Sequence, residues 1–150
     1  MNAEELIREL GRSLGIALEL SPQGTCRVDL DGDMVDFEKS GEKLYVMADL
    51  GSSLNREDAH ASLLTANCLG AQTGGATLGI DPGRAMFTLH LLVNEVPYSV
   101  FEADLARFIR AMRWWKEWLA LPPLPEGRKV PSTASAEMSF DPFAAHTLRV

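Results

Sequence analysis

Leu63 to Pro82 reads LLTANCLGAQTGGATLGIDP, and the fold turns on whether its glycines cradle a phosphate or join two elements tightly. The stretch ends a helix in Ala66-Asn67-Cys68-Leu69-Gly70 and crosses Thr73-Gly74-Gly75. It then enters a short strand, Ala76 to Asp81, closed by Asp81-Pro82-Gly83. A Walker-type loop requires Gly-x4-Gly-Lys-Ser/Thr, its lysine reaching the phosphates. Here Gly70-x4-Gly75 is followed by Ala76 and Thr77, Gly-x-Gly-x-x-Gly is absent, and no Lys or Arg stands between Glu57 and Gly83. The glycines follow the helix, so the negative end of its dipole faces them, the wrong sign for an anion. The stretch is a structural joint.

Upstream of the joint, the sequence predicts a helix from about Arg56 to Leu69, capped by Ser53 or Asn55, with Glu57 and Asp58 at the positive end of its dipole. Before it come three alternating segments. In Thr25–Leu30, Cys26, Val28 and Leu30 share a side; in Asp33–Glu38, Val35 and Phe37 do; in Lys43–Leu50, Leu44, Val46 and Ala48 do. Asp31-Gly32 is a strong two-residue hairpin signal and Ser40-Gly41 marks the next turn, which makes the three an antiparallel meander. A leading helix, Asn2 to Leu14, carries Leu6, Leu10 and Leu14 on one face and stops at Gly15.

Downstream, a longer strand runs from Ala85 to Val96. A last helix follows, opened by a Ser99-Val100-Phe101-Glu102 capping box, with Phe101, Leu105, Phe108, Met112, Trp115 and Leu119 in one stripe. Trp114 and Trp118 flank that stripe and either widen the core or form an aromatic patch. Pro122-Pro123 ends the helix. The order is α-β-β-β-α-β-β-α, an α+β fold with helices packed on a mainly antiparallel twisted sheet in a domain over 1–121. Residues 122–150, with Pro at 122, 123, 125, 131 and 142, read as a flexible C-terminal tail punctuated by Phe140, Phe143, Leu148 and Val150.

Composition excludes several function classes. A net charge of -7 argues against nucleic acid or an anionic membrane as the main partner. MNAEELIREL is acidic and amphipathic where a secretory signal is basic and then apolar, and no apolar run spans a bilayer, so a cytosolic protein is expected. Cys26 and Cys68 lack metal spacing and are expected to be small buried hydrophobes. His60, His90 and His146 form no ligand cluster; His60 reads as an exposed helix residue and His90 as a strand residue on the wetter face. Cys68 and His60 lie roughly 12 Å apart along one helix, too far for a nucleophile–base pair. The acids Asp29, Asp31 and Asp33 surround a hairpin turn and lack the frame of a calcium loop. Arg107, Arg110, Arg113 and Lys116 read as a solvated helix face. No catalytic, metal or cofactor constellation emerges.

Leu64-x-x-Asn67-x-Leu69-Gly70, Thr73-Gly74-Gly75-Ala76 and Leu78-Gly79-Ile80-Asp81-Pro82 occur here in order. Together with the Gly24-Thr-Cys-Arg-Val-Asp29 strand and a last helix ending in Trp, they resemble the class I effector chaperones of type III secretion, the Tir chaperone (CesT-like) family. The resemblance covers about residues 3–119 and leaves the tail outside it.

It implies an acidic cytoplasmic homodimer with no enzymatic activity and no cofactor. Such a protein holds the N-terminal segment of one or more secreted effectors in extended form, and the secretion ATPase or sorting complex is a further possible contact. Carried over residue by residue, the family's dimer contact falls on Leu63, Leu64, Asn67, Leu69, Thr77, Leu78 and Ile80. For effector contact the candidates are apolar residues on the polar side of the strands: Met34, Tyr45, Met47, Met86 and Leu92. Alternation alone leaves open whether these face a client, pack under the first helix or are buried in the dimer. The rivals are an adaptor or regulatory module of the same fold with another partner, and a small-molecule enzyme built on the joint.

Overall fold

A computed structural model describes residues 1–123. Of the 122–150 tail only Pro122 and Pro123 are described; the expectations placed on the rest, His146 and the apolar anchors included, lie outside the described residues. Helix α1 spans Ala3–Leu14, strands β1 Thr25–Leu30, β2 Asp33–Ser40 and β3 Lys43–Ser52, helix α2 His60–Asn67, strands β4 Thr77–Asp81 and β5 Met86–Val93, and helix α3 Tyr98–Ala120. The element order is the one the sequence predicts. The five strands form one sheet in the order β1-β2-β3-β5-β4, every neighbour antiparallel.

Local chemistry explains most of the boundaries. Asn2 caps α1 and Glu5 reaches back to it, a reciprocal capping box that satisfies two otherwise orphaned backbone donors. Gly15, in the left-handed conformation, ends the helix. The β1–β2 hairpin turns through Asp31 and Gly32, both at positive φ, as a two-residue turn matched to the twist of the strands requires. The α1–β1 connection folds back over Gly11, where an added Cβ would stand 2.7 Å from the Ile16 carbonyl oxygen.

All three helices cover one face of the sheet. Val28, Val35, Phe37, Leu44, Val46, Phe87 and Leu89 on that face meet Leu6, Ile7 and Leu10 of α1, Leu63 and Ala66 of α2, and the α3 stripe from Phe101 to Leu119. Each large side chain fully buried there contributes about 1.5–3 kcal/mol. The stripe read from the sequence is the buried face of α3. Trp118 packs partly buried against Trp115 at 5.4 Å, while Trp114 meets Trp115 edge-on at 4.8 Å and stays largely exposed, so one of the pair widens the core and the other does not.

Four local expectations are corrected. The segment from 56 to 69 is not one helix: a 3-10 turn, Glu57–Ala59, precedes an α2 of eight residues, and neither start is capped by Ser53 or Asn55. Arg56 instead pairs with Asp58 and donates to the Leu119 carbonyl at the end of α3. The Ser99–Glu102 box is not formed, because the Pro97 carbonyl already accepts from Val100 and Phe101 and α3 starts at Tyr98. Cys68, one residue past the end of α2, is exposed; Cys26 is half-buried, and burial pushes its thiol pKa up. His60 is half-buried and stands edge-on to Phe87 at 6.4 Å.

The joint at 70–76 docks on α3. The Trp115 indole donates to the Gln72 carbonyl at 3.0 Å, and an added Cβ on Gly74, at φ +64, would stand 2.9 Å from the Arg107 carbonyl oxygen. Gly74 is required twice over, by its left-handed backbone and by its contact with the helix.

Candidate functional site

Among the described residues no helix covers the second face of the sheet. Even-numbered residues of β2 and β5, odd-numbered residues of β1 and β4, and odd-numbered residues of β3 up to Asp49 point there; the bulge between Asp49 and Gly51 then brings Ser52 to that side opposite Met86. All five residues expected to contact an effector stand on this open face: Met34 on β2, Tyr45 and Met47 on β3, and Met86 and Leu92 on β5. Among the described residues no helix packs over them, which leaves a client or a second copy as what covers them.

The face groups them unequally. Tyr45 is the cross-strand partner of both Glu38 and Leu92, and Met47, next on the same side of β3, is the partner of both Asp36 and His90. Tyr45, Met47 and Leu92 therefore form one apolar patch at the centre of the sheet. Met34 lies apart, beside Asp29 near the β1–β2 turn, and Met86 lies beside Asp81 and Ser52 at the same end of the sheet.

Charges frame the patch in pairs. Arg27 binds Asp36 through two hydrogen bonds of 2.6 and 2.9 Å. Arg84, from the β4–β5 turn, reaches both oxygens of Asp49 on β3 at 2.7 and 2.9 Å and Asp81 on β4 at 2.6 Å. Because β5 runs between β3 and β4, the guanidinium lies over β5 and closes that end of the face. The side-chain hydrogen bonds from Asp49 and Asp81 raise the Arg84 pKa well above its ordinary value. Thr88, beneath this roof and beside Gly79, is buried and hydrogen-bonded to His90 Nε2 at 2.7 Å. Burial, helped by Arg84, lowers the His90 pKa and favours its neutral form.

The residues expected at a dimer contact cluster at the α2–β4 corner. Leu63 and Leu78 are buried in the protomer's own core. Asn67 spans from the last turn of α2 to β4, its Oδ1 accepting from the Leu78 amide at 2.8 Å and its Nδ2 donating to the Leu78 carbonyl at 2.9 Å. Leu64, Leu69 and Ile80 are 72%, 97% and 43% exposed, and Thr77 is exposed beside them. Leu69 also holds positive φ, an unfavourable backbone for a leucine that reaches solvent. β4 is an edge strand, paired with β5 alone.

Sequence reasoning did not find the Arg84 bridge, because its partners lie on strands separated in sequence and the residue itself sits in a turn. Among the described residues no group of His, Cys, Asp and Glu is placed to hold a metal, and no helix is long and apolar enough to cross a membrane.

The fold has solved relatives. A chain of the HopA1–SchA chaperone–effector complex superposes with a TM-score of 0.65 at 19% identity, covering 75% of this chain and 91% of that one. A chain of the ExsC–ExsE complex gives 0.67 at 21% identity over 79% and 97% of the two chains. The Yersinia pestis type III secretion chaperone SycH in complex with a stable fragment of YscM2 gives 0.61 at 16% over 75% and 98%. No curated protein matches the sequence. The Tir chaperone protein (CesT) family model matches residues 5–116, and the chain, with its joint, edge strand and open sheet as described, belongs to that family.

Proposed function

We propose that this protein is a cytoplasmic, homodimeric type III secretion chaperone. It binds the N-terminal segment of one or more effectors in extended form, keeps them competent for export, and performs no catalytic step. The observation that carries the reading is the Tyr45–Met47–Leu92 patch, an apolar group of two half-buried residues and the exposed Leu92 on the uncovered face, at the centre of the sheet where β3 and β5 are each paired on both sides. Such a patch is a surface for covering rather than a cavity for chemistry. Methionine and tyrosine suit a surface that accepts varied apolar side chains. The second copy binds through Leu64, Leu69, Thr77 and Ile80, with Leu63, Asn67 and Leu78 shaping that corner from within, and contact with the secretion ATPase or sorting complex follows once a client is loaded.

The test is co-expression with the product of the adjacent gene. A soluble complex that protects the client's N-terminal segment from protease is expected, without added metal or nucleotide. Tyr45→Ser combined with Leu92→Ser leaves the fold intact and weakens that complex at least tenfold, since two apolar anchors of the open face, of about 1 kcal/mol each, are removed. A complex indifferent to both substitutions would place the client elsewhere. A partner drawn from the secretion apparatus alone would favour the adaptor reading.

A further inference from the structure

Glu38 is the exposed cross-strand neighbour of Tyr45, in the same row as Leu92, so whatever covers the apolar patch also approaches this carboxylate. The other charged groups of the open face are largely committed. Asp36 is held by Arg27, Asp49 and Asp81 share the single guanidinium of Arg84, and Asp29 accepts from the Gly32 amide in its own hairpin turn. Lys43, the next residue on the same side of β3, makes no ion pair with Glu38. Among the described residues the Glu38 carboxylate makes no ion pair and no side-chain hydrogen bond, and the face as a whole carries five carboxylates (Asp29, Asp36, Glu38, Asp49 and Asp81) against Arg27, Lys43 and Arg84.

We propose that the open face selects segments that are apolar and basic, with Glu38 as the residue that reads the charge. Covering Tyr45 and Leu92 with an apolar side chain strips water from one side of Glu38. A cation set beside that side chain replaces the lost solvation, whereas an acid there adds repulsion to desolvation. Arg27 and Arg84 cannot take the part of that cation, because each is fixed by two or more hydrogen bonds to carboxylates of the sheet. The inference rests on the patch being the client surface.

Two synthetic peptides of one apolar pattern, one with lysines and one with glutamates at the polar positions, serve as probes, with binding read by fluorescence anisotropy on the full chain. At low salt the basic peptide binds more tightly by about tenfold, and the preference shrinks as salt rises. Glu38→Lys reduces or reverses the preference by about fivefold or more, the scale of an exposed pair gained and lost. Glu117→Lys, the same charge change on an exposed position of α3, leaves it within about twofold.

Tyr45→Ser and Leu92→Ser weaken both peptides equally. If they do not, the client surface itself is misplaced. If they do while Glu38→Lys and Glu117→Lys act alike, the surface stands and charge reading by Glu38 is overturned. Peptide binding that splits the dimer, seen by light scattering, also overturns the proposal, since the face would then belong to a second copy.

Discussion

Asn67 gives β4 what a neighbouring strand would give it. Its side-chain amide satisfies both the N–H and the C=O of Leu78, closing one rung of the free edge and tying the end of α2 to the sheet. Asn67→Ala leaves both backbone groups without that partner, and a loss of about 1–3 kcal/mol in chemical denaturation is expected. Asn67→Asp keeps the acceptor but sets a carboxylate against the Leu78 carbonyl, and it is expected to recover little of that loss. An unchanged denaturation midpoint in both variants would show that water replaces the amide at no cost. The family motif singled out Asn67 in the sequence, and it stands between α2 and β4. Its partner was not legible, since nothing in a linear pattern aims a side-chain amide at a residue eleven positions on. Trp114 and Trp118 make the same point: spacing put both beside the stripe, and only packing against Trp115 separated them.

Helix α3 shows how one element is held from several sides. Its stripe packs on β3 and β5, its Trp115 receives the joint, and its Arg113 and Lys116 grip Asp33 at 2.7 and 2.9 Å, fastening the β1–β2 hairpin to its outer flank. Burial alone would raise the Asp33 pKa, but the hydrogen bonds from Arg113 and Lys116 outweigh it, and the carboxyl titrates below its ordinary value. A folded pKa below the unfolded one, about 3.9, gives stability that is complete above that pH and lost as pH falls through the folded value. Asp33→Asn is therefore expected to cost about 1 kcal/mol at neutral pH, the cations being partly exposed. The gap from the parent protein should close below about pH 4. A gap constant down to pH 2 would assign the effect to packing. The boundaries of α3 and α2 also show where sequence motifs mislead. Ser99 and Glu102 have the composition of a capping box, yet Pro97, its φ already fixed near the helical value, starts the helix earlier, at Tyr98. Asn55 looks like a cap, but it adopts positive φ and the chain enters α2 through a 3-10 turn held by Arg56.

At the scale of the whole molecule, the β1-β2-β3 meander and the grouping of its residues by face were legible, because alternation in these strands is strict and Asp31-Gly32 fixes the hairpin register; that β5 inserts between β3 and β4, and which face the helices cover, were not, since both depend on contacts far apart in sequence. The state of each residue at the α2–β4 corner was not, since Leu63 and Leu64 are adjacent and one is core while the other is bare. That difference sets the test of the dimer. Leu78→Asp would unfold the protomer by burying a charge in its own core, whereas Leu64→Asp with Leu69→Asp alters only exposed positions. The double variant is expected to keep its thermal stability at high dilution and to run as a monomer in light scattering. A dimer that survives it would move the contact elsewhere. The strand order has a further consequence, one of time. The central pairing joins β3 to β5, so Leu44 waits for Val93. At synthesis rates of about 5–20 residues per second, the nascent meander carries an unpaired β3 edge for roughly 2–10 s before β5 arrives. During that interval an apolar strand is open to any other extended chain on the same polysome, and the speed of translation through α2 and the joint decides how long the exposure lasts.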